Sequence, residues 1–226
     1  MVTASLADRP WRSLRWLVLA PHADDETLGA GALIAQAEAA GHFAALVYLT
    51  DGSGSHAAAA GGAQRLICVR RREGAGALSR LTGSRRYRPF HLGWKDAAPA
   101  APGSSKFDRS VMTLASFCVR LRVDAIAVTA RHEPHCDHAA AAELAYAVKG
   151  RAKRRIVVAE YCVWADRPEP RRYRAIRSDA MSPGLRRYAL QAHRSQLTAS
   201  HGHGFRLPKA MQRMAARDTL FVERGI

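Results

Sequence analysis

Two short polar clusters hold the residue types from which hydrolytic metal sites are built. The first, His22-Ala23-Asp24-Asp25-Glu26, offers one imidazole and three consecutive carboxylates. The second, Arg131-His132-Glu133-Pro134-His135-Cys136-Asp137-His138, lies more than a hundred positions further along the chain. A catalytic divalent ion ordinarily takes three protein ligands from His, Asp, Glu or Cys and leaves a fourth position to water. His22, Asp25 and His138 meet that count if the clusters converge. Adjacent acids repel one another, so Asp24, Asp25 and Glu26 are easier to accommodate when a cation neutralises one of them. Each cluster alone also has a plainer reading. His22-x-x-Asp25 suits a turn or a helix cap, because aspartates favour helix N-termini, and His135-x-x-His138 suits a surface pair.

The elements around the clusters predict how they meet. Apolar runs over 16–20, 44–50, 125–129 and 156–164, with a weaker one over 88–92, read as strands. Stretches over 28–40, 64–81, 110–121 and 139–149 read as helices between them. This alternation predicts an α/β fold: a Rossmann-like, mostly parallel sheet with helices on both faces and right-handed crossovers. Pro21 ends the first run, since proline cannot donate to a sheet ladder. Both clusters then fall at carboxyl ends of strands, where open α/β sheets bind ligands. The segment 96–106, rich in Ala, Pro, Gly and Ser, reads as a surface loop, a flap over the site. Beyond the basic, proline-bearing stretch 167–184, residues 185–197 return to helical spacing.

Composition bounds the rest. With 226 residues and 48% apolar content, the chain suits one domain over 1–226 with a core of its own. Its four cysteines form no C-x-x-C pair, which argues against a zinc ribbon and for a reducing, cytoplasmic location. The apolar run 16–20 is too short for a signal-peptide core or a membrane span. A net charge of +16 draws anionic partners, yet no zinc finger, aromatic nucleic-acid strand or helix-turn-helix spacing accompanies it. Specific nucleic-acid binding is not expected. A solvated arginine-rich surface, peripheral contact with anionic lipid, or an anionic substrate all account for the charge. Gly29-Ala30-Gly31 lacks the full dinucleotide fingerprint, and His201-Gly202-His203 reads as a flexible loop.

Pro21-His22-Ala23-Asp24-Asp25-Glu26 resembles the Pro-His-Pro-Asp-Asp-Glu signature of the PIG-L/LmbE-like N-acetylglucosaminyl deacetylases, and His135-Cys136-Asp137-His138 resembles their His-Pro-Asp-His. Weaker echoes are Thr50-Asp51-Gly52, Arg70-x-x-Glu73 and His193-Arg194-Ser195-Gln196, so the likeness spans most of the chain. The resemblance implies removal of acetyl from an N-acetylglucosamine conjugate. It implies zinc, or another divalent transition ion, on His22, Asp25 and His138, with Asp24 as general base. It further implies that His135 stabilises the oxyanion, Asp137 holds the His135 ring, and Arg70 grips substrate hydroxyls or a phosphate. Asp51 is either a turn residue or an acceptor for a sugar hydroxyl. Ala23 and Cys136 stand where the family has prolines; Cys136 is then a thiol beside the metal, or simply a small buried residue. The competing readings are a metal-dependent phosphoesterase or other amidase, and a non-catalytic module for nucleic acid or another anionic polymer.

Overall fold

The computed structural model describes residues 3–56 and 62–224. Its strands are β1 (Thr3–Ser5), β2 (Trp16–Ala20), β3 (Phe43–Thr50), β4 (Phe90–Trp94), β5 (Ala125–Thr129), β6 (Val157–Tyr161), β7 (Tyr173–Arg177) and β8 (Thr219–Glu223). Its α-helices are α1 (Asp25–Ala39), α2 (Gly62–Thr82), α3 (Ser105–Arg120), α4 (Cys136–Arg151), α5 (Leu185–Leu190) and α6 (Arg194–Leu197). The strands form one sheet in the order β1-β7-β8-β6-β5-β2-β3-β4. Every pairing is parallel except those of β8, which runs antiparallel to both β6 and β7. The expected Rossmann-like, mostly parallel α/β architecture is therefore present.

Strand β2 shows why the sheet sits between two helical layers. All five of its residues are buried, and alternate side chains leave opposite faces. Trp16, Val18 and Ala20 pack with Leu33 of α1 and Leu78 of α2, whereas Leu17 and Leu19 pack with Leu114 of α3 and Leu144 of α4. Gly29 lets α1 press directly onto the sheet, because a Cβ there would lie 2.2 Å from the Tyr161 ring.

Strands β2 and β5 are parallel neighbours, but α1 follows the first onto one face and α4 follows the second onto the other. Their diverging connections open a crevice at the carboxyl edge of the sheet. Three features depart from the sequence reading. The basic stretch 167–184 contributes β7, the later residues Thr219–Glu223 form β8, and the stretch 185–197 divides into two short helices around Gln191–His193. The segment after β4 is also no mere surface loop: Asp96 is buried and accepts the Gly54 N–H at 3.1 Å, and Ser104 caps α3.

Candidate metal centre and active site

The turn between β2 and α1 is fastened before any ligand arrives. Thr50 donates its N–H and its hydroxyl to the Pro21 carbonyl, at 3.1 and 3.0 Å. Asp24 then takes φ +141°, a conformation that side-chain-bearing residues rarely adopt and that costs of order 1–3 kcal/mol. Glu26 holds it there by accepting the Asp24 N–H at 3.0 Å. The same carboxylate also takes the Thr27 hydroxyl at 2.6 Å and His193 Nε2 at 2.9 Å. The three acids thus divide their work: Glu26 braces the turn, while Asp24 and Asp25 face the crevice.

At the crevice, His22 Nδ1 and His138 Nε2 each lie 3.2 Å from Asp25 Oδ2. Donors about 2.0–2.1 Å from a tetrahedral zinc ion stand roughly 3.3 Å apart, so this triangle fits such an ion. The far side of each imidazole meets a carboxylate, His138 Nδ1 at 3.2 Å from Glu133 and His22 Nε2 at 3.0 Å from Asp137. Such outer partners fix ring orientation and raise ligand basicity. Burial opposes charge on both imidazoles, but the facing carboxylates outweigh it. Asp25 and Glu133 lift His138 to about 9, and Asp137, Asp25 and Asp96 hold His22 well above its ordinary value. Asp25 is likewise disfavoured by burial, yet His138 and His22 keep it well below the carboxylate range. The cluster attracts positive charge, and its three ligand atoms could hold a metal ion.

Beside this triangle, burial and then the neighbouring Asp25 raise Asp24 to about 7, against the opposing pull of Arg70. That value suits a group that must both take and return a proton near neutrality. Arg70 is buried and spans the turn, donating to the carbonyls of Ala23 and Gly52 at 3.0 and 3.3 Å. Its guanidinium also lies 4.0 Å from Asp24 and 3.8 Å from Asp96. His135 accepts the Asp137 N–H on Nδ1 at 3.2 Å, which leaves its proton on Nε2. Partial burial, with His22 and His138 opposite, lowers its pKa.

His22, Asp24, Asp25, Arg70, His135 and His138 all line one cavity of about 470 Å³. Asp137 faces a different ring from the one the resemblance implied: its carboxylate is 3.0 Å from His22 but 3.9 Å from His135 Nδ1. Asp51 does not line this cavity, and its Oδ1 accepts the backbone N–H groups of Ser53 and Asp96. Cys136 is exposed, not a small buried residue, and it belongs to no potential metal cluster among the described residues.

Sequence reading passed over Asp96, 3.2 Å from His22 Nε2, and gave Glu133 no role. Asp96 follows β4 at the same sheet edge as the other site residues, and that position is the signal that identifies it. Gln196 also lines the cavity, and its buried Oε1 has no protein partner.

A doubly wound sheet with a His/Asp/His triangle at its switch point defines a class of α/β proteins whose sheet edge carries residues that could hold a metal ion. Residues 17–149 match the family model PIG-L: GlcNAc-PI de-N-acetylase, and the chain belongs to that family. Among solved structures it is similar to the zinc-inhibited form of teicoplanin deacetylase Orf2, with TM-score 0.63 and 18% identity over 93% of this chain and 98% of that one. It is also similar to N,N'-diacetylchitobiose deacetylase from Pyrococcus horikoshii, with TM-score 0.62 and 18% identity over 84% and 74% of the respective chains. The conserved protein TT1542 from Thermus thermophilus gives TM-score 0.57 and 26% identity over 81% and 80%. No curated protein matches the chain in sequence.

Proposed function

We propose that the chain, acting as one domain over 1–226, is a metal-dependent hydrolase that removes acetyl from an N-acetylated amino sugar, an N-acetylglucosamine conjugate. The observation that carries this reading is the convergence of His22, Asp25 and His138 beside the buried Asp24 carboxylate in one cavity. Family membership and the fold shared with sugar and glycopeptide deacetylases support it.

His22, Asp25 and His138 would hold zinc or another divalent transition ion, which when bound would acidify a water and polarise the acetamide carbonyl. Asp24 takes the proton from the attacking water. His135 donates its Nε2–H to the carbonyl oxygen as negative charge develops there, an interaction strongest in the transition state. When the C–N bond breaks, Asp24 returns the proton to the departing amine, so acetate and free amino sugar leave in balance. Asp137 and Asp96 orient His22, and Glu133 orients His138. Arg70, engaged with Asp24, Asp96 and two carbonyls, positions the turn and offers its remaining N–H groups to sugar hydroxyls.

Among the described residues no helix is long and apolar enough to cross a membrane, and we place the protein in the cytoplasm on its unpaired cysteines. The substrate is a small or conjugated amino sugar. Arg70 is the only Lys or Arg among the cavity-lining residues, so the +16 charge lies elsewhere and gives an anionic substrate no direct support. The test is incubation of zinc-loaded protein with a panel of N-acetylglucosamine conjugates, following products by mass spectrometry. Acetate and free amine are the expected products; phosphate release from phosphorylated conjugates would favour a phosphoesterase instead.

A further inference from the structure

We propose that Trp164 and Phe205 form a subsite at the cavity rim for a neutral ring attached to the acetylated sugar. This rests on the reading above in that it seats the N-acetyl group at His22, Asp25 and His138. Trp164 follows β6 and Phe205 follows α6, so the rim joins two loops that are distant in the chain. Their rings stand 6.1 Å apart at 81°, making an open corner rather than a closed stack. Both line the catalytic cavity, and they remain 36% and 40% exposed. Among the described residues the other large exposed apolar side chains, Met112, Val119 and Tyr188, lie singly on α3 and α5. An exposed aromatic pair continuous with a polar catalytic cavity marks a place where a ligand presents an apolar face.

The corner is built, not incidental. Glu133, already bonded to His138, also accepts the backbone N–H groups of Val163, Trp164 and Ala165 at 2.6, 3.1 and 3.2 Å. Phe205 donates its N–H to the Ser55 carbonyl at 2.7 Å, next to the bridge between Gly204 and His56. One carboxylate therefore sets both the His138 imidazole and the loop that carries Trp164, tying that side of the rim to the proposed metal ligands. Arg70 is the only Lys or Arg in the lining and is committed to the turn, so the rim offers aromatic faces rather than charge pairing. The ligand class is a ring with an apolar face, either the C–H face of a second sugar or an aryl group.

Trp164 is the only exposed tryptophan, since Trp11, Trp16 and Trp94 are buried, so it reports its own occupancy. Fluorescence titration of the zinc-loaded protein with methyl and phenyl N-acetylglucosaminide and with N,N'-diacetylchitobiose separates the cases. The phenyl glycoside is expected to bind about 5–10-fold more tightly than the methyl glycoside and to shift the emission to the blue. Comparable tightening by the chitobiose assigns either ring; tightening by phenyl alone assigns an aryl group. In Trp164→Ala the phenyl-to-methyl KM ratio should collapse towards unity, with Trp164→Phe retaining part of the preference. Equal affinity for all three probes, or an unchanged ratio in Trp164→Ala, would overturn the subsite. Because the titration needs no turnover, ring-selective binding without acetate release would sink the deacetylase reading and keep the subsite. Acetate release without ring preference would do the reverse.

Discussion

At the amino end of α1, five carboxylates, those of Asp24, Asp25, Asp96, Glu133 and Asp137, crowd around one guanidinium and the imidazoles of His22 and His138. Further along the same helix, Asp218 meets a single partner, Arg186. There the charges balance one to one. Asp218 also accepts the Leu33 N–H at 2.8 Å, and Arg186 bonds the carbonyls of Thr27 and Leu28 at 2.9 and 3.1 Å. Both networks are buried, so solvent explains neither. A pair balanced in charge, with both terminal nitrogens of Arg186 bonded, fixes how α1 docks. An excess of carboxylate converging on two imidazoles leaves a demand for positive charge, which a bound cation would meet.

The comparison breaks most visibly at Asp24. Asp24→Asn removes the proposed proton acceptor but none of the three proposed ligands, so kcat should fall by about 10²–10⁴-fold while metal content stays at the wild-type level. Metal analysis of the purified variant checks this, and loss of the ion with Asp24 would move that residue into the ligand set. The balanced network responds differently. Asp218→Ala strands a buried guanidinium and should cost about 3–5 kcal/mol of stability by urea unfolding. Replacing both partners, as Arg186→Met with Asp218→Leu, should recover much of that loss. The folded protein should bind metal normally in either case.

Ion addition then contrasts the two networks directly. Zinc at about a hundred times its dissociation constant should stabilise the wild type by about 2.7 kcal/mol, which for a chain of this size is a rise of roughly 5–10 °C in midpoint. His138→Ala should lose that rise, whereas the Arg186/Asp218 double replacement should keep it. A rise of equal size in His138→Ala would mean that the ion binds elsewhere.

How much was legible beforehand follows from the same physics. Strands β2, β3 and β5 are almost entirely buried, so their apolar runs stand out in sequence. Strand β7 alternates less plainly, with Arg174 and Arg177 exposed around buried Ala175 and Ile176, and its charges hid it within a basic tail. His22, Asp25 and His138 were readable because each sits in a dense polar cluster after an apolar run. Asp96 is a lone acid ahead of an Ala/Pro-rich stretch, and only the sheet order brings it to 3.2 Å from His22. Helix α4 begins at Cys136 rather than Ala139 because the His135 side chain caps it by accepting the Asp137 N–H. A side chain thus extended a helix into what composition marked as loop.

The smallest expected effect concerns His193 and Glu26, a balanced pair that nevertheless touches the turn carrying Asp24. Both are fully buried, with Nε2 and Oε1 2.9 Å apart. Burial opposes charge on His193, but Glu26, Asp24 and Glu73 raise its pKa; burial also opposes ionisation of Glu26, but His193 and the bonds from Thr27 and Asp24 lower it. A raised imidazole pKa contributes stability that is complete below the unfolded value of about 6.5 and is lost as pH climbs through the folded value. A lowered carboxyl pKa contributes stability that is complete above about 4.3 and is lost as pH falls through the folded value. The pair therefore stabilises most between about pH 4.3 and 6.5. Urea midpoints of the wild type should decline above that window, by the difference between a charged and a neutral hydrogen bond, about 1 kcal/mol. His193→Gln should flatten this alkaline decline. If the two profiles run parallel through neutrality, the imidazole carries no charge there, and the brace on the Asp24 backbone is a neutral hydrogen bond rather than an ion pair.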